Sequence, residues 1–213
     1  MKIDQLHYIS QASSDGSHLM AIEEVLKAGG KWVQLRIKDQ SPALILERAI
    51  QAKRLCDEYS AKLIINDHPE IAQQANADGV HLGLEDMPIA EARKLLGPDF
   101  IIGGTANTME HLRQRIAEGV NYIGLGPYRF TKTKKKLSPI LGIEGYRTLL
   151  REMNILSNLP VIAIGGIVME DVSELMTTGI YGIALSGALT NVGGLSSVVE
   201  EMYSLLKVNE LKH

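Results

Sequence analysis

The chain alternates short, continuous apolar runs with longer stretches in which apolar residues recur at helical spacing. The apolar runs fall at positions 6–10, 32–36, 63–65, 80–82, 101–103, 122–125, 161–164 and 182–185. Apolar residues follow one another in these runs rather than alternating with polar ones, which is the pattern of strands covered on both faces, as in a parallel sheet. Segments 42–59, 89–96, 109–118, 146–156 and 195–207 carry the spacing of amphipathic helices. Asp78-Gly79, Gly97-Pro98 and Gly119 punctuate the pattern as turn or helix-stop signals.

Eight strand-like runs alternating with helices in 213 residues predict a minimal (β/α)8 TIM barrel, one α/β domain over positions 1–213. A doubly wound open sheet is the rival architecture. It usually carries a glycine-rich phosphate loop after its first strand, and nothing in positions 9–20 reads as G-x-G-x-x-G. The barrel brings a second expectation: chemistry gathers where the strands end, on the loops that lead into helices.

Residues at the ends of the runs and just past them are polar or small, while the rest of each run is mainly apolar. In chain order they are Gln34, Arg36 and Lys38; Asn66 and Asp67; Asp86; Thr105; Thr131, Thr133 and Lys134; Gly165 and Gly166; and Ser186 and Gly187. Each has an ordinary structural explanation. Arg36 and Lys38 could form surface ion pairs, and Asp67 and Asp86, each shortly before a proline, could cap helices. Two acids after successive strands, beside two cations, favour a metal–phosphate site instead. Hard carboxylate oxygens suit Mg²⁺, and Arg and Lys suit the phosphate oxygens that such an ion bridges.

The turns at Gly165-Gly166 and Ser186-Gly187 can offer backbone N–H groups to an anion, and the loops after strands seven and eight of a barrel often form a phosphate site. His81 lies within a strand and is expected to be packed and hydrogen-bonded. The longest irregular stretch, 124–142, carries Thr131, Thr133 and Lys134 and is expected to act as a lid, poorly ordered without ligand.

Composition narrows the options. A hydrophobic content of 45% suits one well-buried domain, and a formal charge of -3 gives no electrostatic case for nucleic acid. Basic residues cluster only locally, at Lys132 and at Lys134, Lys135 and Lys136. The first residues lack the apolar core of a secretory leader and no run approaches a membrane span, so a cytoplasmic protein with no membrane partner is expected. The lone Cys56, in a helical pattern, excludes an internal disulfide and fits a buried structural thiol. Exposed helices of small barrels often pair, so a homodimer is an oligomeric option.

Taken in order, these motifs resemble the thiamine-phosphate synthase family. The resemblance rests on Gln34-Leu35-Arg36-Ile37-Lys38, Asn66-Asp67, the stretch Gly79-Val80-His81-Leu82-Gly83-Leu84-Glu85-Asp86, the loop beginning Gly124 with Thr131-Lys132-Thr133-Lys134, and Ile164-Gly165-Gly166-Ile167. It implies a transferase that joins 4-amino-2-methyl-5-(diphosphooxymethyl)pyrimidine to a thiazole phosphate or its carboxylate, releasing diphosphate. It further implies Mg²⁺ on Asp67 and Asp86, and the pyrimidine diphosphate held by Gln34, Arg36, Lys38, Asn66 and Lys134. Thr131, Thr133 and the backbone of Gly166 would then contact the thiazole phosphate. Two departures stand out: Thr105 where many relatives have Ser, and Ser186 followed by Gly187, which leaves the register of the thiazole-phosphate cup open by one residue. A thiazole tautomerase-like relative is the rival within the fold, but Asn107 stands where that relative has a histidine base. A non-catalytic phosphate- or thiamine-binding barrel is the rival from another class.

Overall fold

The computed structural model describes residues 2–13, 16–130 and 139–207. Its strands are β1 (Leu6–Ile9), β2 (Trp32–Leu35), β3 (Lys62–Asn66), β4 (Gly79–Leu82), β5 (Ile101–Ala106), β6 (Tyr122–Leu125), β7 (Val161–Ile164) and β8 (Gly182–Leu185). All are parallel, each bonds to the next, and β8 pairs back onto β1 to close a barrel. The helices alternate with them: α1 (His18–Lys27), α2 (Pro42–Glu58), α3 (Pro69–Gln74), α4 (Ile89–Leu96), α5 (Met109–Glu118), α6 (Gly142–Leu156), α7 (Met169–Met176) and α8 (Leu195–Lys207). None of the described helices is long and apolar enough to cross a membrane.

Local chemistry sets several helix ends. Ser41 accepts a hydrogen bond from the Leu44 N–H at the start of α2, with Pro42 at the first helical position, where its missing N–H costs nothing. Thr108 caps α5 in the same way, and Gly119 ends that helix in the left-handed region at φ 72°, where a side chain would be strained.

Side chains alternate across each strand, and two apolar layers result. Val33, Leu35, Leu63, Ile65, Val80, Leu82 and Ile102 point outward and bury against the helices. Trp32, Ile64, Ile101, Tyr122 and Ile162 fill the barrel interior. The same alternation puts Gln34, Asn66, His81 and Thr105 on the inward face, one layer nearer the C-terminal mouth. The interior therefore changes from apolar to polar as it approaches the rim. Cys56 is fully buried on α2, and burial pushes its thiol up to about 12, as befits a packing residue.

The fifth strand extends beyond the apolar run that marks it in the sequence. Gly104, Thr105 and Ala106 also belong to β5. Gly103 and Gly104 interrupt the apolar pattern because other side chains occupy their space. A Cβ on Gly103 would sit 2.2 Å from Cζ of Tyr122, and one on Gly104 would sit 2.7 Å from Cδ of Arg115. Helix α6 likewise starts at Gly142, four residues before its amphipathic pattern becomes visible.

Candidate active site

Four successive strands bring the sequence-predicted polar residues to one sector of the rim. Gln34 on β2 pairs in register with Ile64, and Asn66 on β3 pairs with His81 on β4. The Gln34 amide donates to Asn66 Oδ1 at 2.7 Å, and both side chains are buried. An amide pair of this kind leaves further donors and acceptors facing the mouth in fixed orientation. His81 lies inside the barrel between the Tyr122 hydroxyl, 3.0 Å from Nδ1, and the Thr105 hydroxyl, 3.1 Å from Nε2. It is the packed, hydrogen-bonded histidine that the sequence suggests.

Arg36 and Lys38 follow β2. The Arg36 N–H donates to the Ser10 hydroxyl at 3.0 Å, and that hydroxyl is 2.9 Å from His18 Nδ1. Burial lowers the Arg36 pKa, while the neighbouring Asp67 carboxylate favours its charge. The Lys38 ammonium donates to Asp67 Oδ2. Asp67 adopts φ 67°, in the left-handed region that few non-glycine residues occupy, and its N–H continues the ladder to His81 O at 2.9 Å. Strain of this kind collects at functional sites.

Neither acid caps a helix. The residue preceding α3 is His68 and that preceding α4 is Pro88, and neither makes a side-chain cap bond. Asp86 instead turns back, its Oδ2 accepting from the Gly83 N–H at 2.6 Å. The two carboxyls are near enough for each to shift the other's ionisation. Burial works against ionisation of both. For Asp67 burial pushes the pKa up, but the Lys38 ammonium, together with the Asp86 carboxyl and His81, outweighs it and holds the pKa below the usual carboxylate range. Asp86 is held above that range by burial and by the charge of Asp67, against the pull of the Gly83 N–H.

This donor set fits a small, hard divalent cation. Such an ion between the carboxylates would cancel their repulsion. Among the described residues no group of three or more His, Cys, Asp or Glu forms a metal cage. A pair of carboxylates, with substrate phosphate and water completing the shell, is how Mg²⁺ is commonly held.

The opposite sector of the rim uses backbone. Gly165 and Gly166 follow β7 with φ 100° and 71°. A Cβ on Gly165 would sit 2.7 Å from Cα of Pro127, so the turn closes directly onto the segment leaving β6. That segment is tied down by Arg129, whose N–H donates to Gly165 O at 3.0 Å. Its guanidinium donates to Gly166 O at 3.1 Å and to Asp171 at 2.7 Å. After β8, the Ser186 hydroxyl donates to Gln11 Oε1 at 3.2 Å, and Gly187 opens a single turn of 3-10 helix, Gly187–Leu189. Thr131, Thr133 and Lys134 lie outside the described residues, as does the part of the expected lid at positions 131–138.

Sequence reasoning passed over Arg115. On the α5 pattern it looks like one more polar surface position, yet it is only 3% exposed. The adjacent glycines at 103 and 104, anomalous inside a strand, were the available signal. Asn107, in the place of the rival's histidine base, is buried and donates its amide to Gly126 O. An amide so used offers no basic nitrogen.

Comparison with known proteins agrees with this architecture. Residues 6–189 match the family model described as thiamine monophosphate synthase. The chain is 52% identical to a thiamine-phosphate synthase of Flavobacterium psychrophilum, over 88% of this chain and 91% of that one. It is 48% identical to one of Bacteroides fragilis, over 95% and 98% of the two chains. Among solved structures, the thiamine phosphate pyrophosphorylase of Pyrococcus furiosus superimposes with a TM-score of 0.83 at 28% identity, covering 96% of each chain. The chain belongs to the thiamine monophosphate synthase family.

Proposed function

We infer that this chain is a cytoplasmic thiamine-phosphate synthase, condensing 4-amino-2-methyl-5-(diphosphooxymethyl)pyrimidine with a thiazole phosphate or its carboxylate. The bond from the pyrimidine methylene carbon to the diphosphate oxygen breaks. The thiazole nitrogen forms the new bond to that carbon, and diphosphate leaves with the electron pair of the broken bond. The carboxylated thiazole would also release CO₂. No protein nucleophile is required, in keeping with a rim that gathers amides, carboxylates and cations.

Asp67 and Asp86 would hold Mg²⁺, which when bound supplies positive charge to the departing diphosphate. Arg36, Lys38 and Lys134 stabilise the same developing charge in a partly dry site, where fixed cations act more strongly than in water. Gln34 and Asn66, locked to each other, orient the aminopyrimidine, with Thr105 alongside. The electron-rich ring spreads the positive charge left on its methylene carbon, so a dissociative substitution suits the site. Thr131, Thr133, Gly166 and the turn at Ser186 and Gly187 take the thiazole phosphate. The chain's work is positioning and electrostatics.

The observation that carries this reading is the convergence of Asp67 and Asp86 beside Lys38 and Arg36. Its test is Asp67→Ala and Asp86→Ala, assayed for Mg²⁺-dependent thiamine phosphate formation. Each should fall about a hundredfold or more, since charge stabilisation by the metal is worth several kcal/mol. Unchanged turnover in both variants would remove the metal assignment.

A further inference from the structure

The side chain of Arg115 reaches from α5 through the outer wall of the barrel to two neighbouring site elements. Its Nη2 donates to the Gly83 carbonyl at 2.8 Å and its Nε to the Thr105 carbonyl at 3.1 Å. Its Nη1 is held by Glu118 at 2.7 Å. Both carbonyls belong to residues that orient the site. Gly83 N–H is the donor that fixes Asp86, and the Thr105 hydroxyl stands 3.1 Å from His81. A buried, always charged, planar guanidinium can hold two carbonyls at set angles, which an ammonium cannot do. The fold makes room for it: Gly104, on the outward face of β5, would place a Cβ 2.7 Å from Arg115 Cδ and 2.8 Å from Nε.

We propose that Arg115 is a positioning residue that locks the turn Gly83-Leu84-Glu85-Asp86 against β5, so that the Asp86 carboxylate is pre-aimed at the divalent cation. This role rests on the function inferred above. Three facts of the structure carry it together: near-complete burial of a charged group, its donation to carbonyls on two site elements, and a glycine cleared for it. Without Arg115 both carbonyls lose a partner, and the turn can swing Asp86 away from Asp67. Residues that orient metal ligands typically govern affinity by ten- to a hundredfold, although they never touch the metal.

The test is a set of variants read two ways: the Mg²⁺ activation constant and the KM of each substrate in steady-state assays, and Mn²⁺ binding in the presence of inorganic diphosphate, followed by electron paramagnetic resonance. In Arg115→Ala the Mg²⁺ constant should rise and Mn²⁺ affinity should fall, each by about tenfold or more, with the KM for thiazole phosphate within about twofold of wild type. Arg115→Lys should recover only part of the loss. Gly104→Ala, which displaces the guanidinium without deleting it, should move both metal readouts the same way and serves as the test if Arg115→Ala does not fold. Glu118→Gln removes the charge on the solvent side and should leave the metal readouts at wild-type values. Wild-type metal constants in Gly104→Ala, or in a folded Arg115→Ala, would overturn the proposal. A wild-type enzyme that binds Mn²⁺ through Asp86 but forms no thiamine phosphate would overturn the inferred function while leaving the positioning role standing.

Discussion

The two halves of the rim hold charge by different means. From β2 to β5 the work is done by side chains: Gln34 on Asn66, Lys38 on Asp67, Gly83 N–H on Asp86, and His81 on Thr105. From β7 to β8 the turns are built from glycines in the left-handed region and a short 3-10 turn, and they offer chiefly backbone. The contrast fits the two tasks of the proposed function. A leaving diphosphate gains charge as its bond breaks and calls for full, preorganised charges and a metal. A phosphate that serves only as a handle keeps its charge throughout, and partial charges on fixed N–H groups suffice.

The sharpest way to break this division is Lys38→Met. The ion pair with Asp67 is half exposed, so stability should change by less than about 1 kcal/mol. Turnover should nevertheless drop about a hundredfold or more, because the ammonium acts on charge that appears only in the transition state. Urea unfolding and steady-state kinetics on the same preparation test both halves of that statement. Equal losses in stability and activity would mark Lys38 as structural.

Asn66→Ala should come next. It leaves the buried Gln34 amide without its partner at a cost of about 1–3 kcal/mol. The KM for the pyrimidine diphosphate should rise about tenfold to a hundredfold, with that for thiazole phosphate nearly constant. Gly166→Ala should have the smallest effect and the opposite selectivity. At φ 71° an alanine costs about 1 kcal/mol, and its Cβ must displace Arg129 Cγ, which lies 2.5 Å away. A rise of about fivefold in the KM for thiazole phosphate is expected, with the pyrimidine KM unmoved. If Gly166→Ala moved the pyrimidine KM instead, the division of the rim would be wrong.

The barrel was legible because its strands are covered on both faces and read as short, mainly apolar runs, eight in number, with helical stretches between them. The side-chain half of the site was legible for the same reason: a polar residue that interrupts an apolar run at its C-terminal end has few places to go but the mouth. Asp67 and Asp86 were individually ambiguous, since an acid shortly before proline also caps helices, and only the folded chain shows that neither does so. Thr105 reads as a position past the fifth run because the glycines at 103 and 104 end the apolar pattern, although the strand continues past them. Arg115 escaped notice because helical periodicity says which face a side chain occupies and not how far it reaches. Its contacts lie 10 and 32 residues away in sequence, on elements that only the closed barrel brings together.

In the proposed function, Asp67 and Asp86 form one cation site shared with diphosphate. The most direct measurement is calorimetric titration of the wild-type chain and of Asp67→Ala and Asp86→Ala with inorganic diphosphate, with and without Mg²⁺. Mg²⁺ should tighten diphosphate binding to the wild type at least tenfold, and either substitution should abolish that enhancement while weak binding to Arg36 and Lys38 persists. An Mg²⁺ enhancement retained in full by both variants would contradict the account.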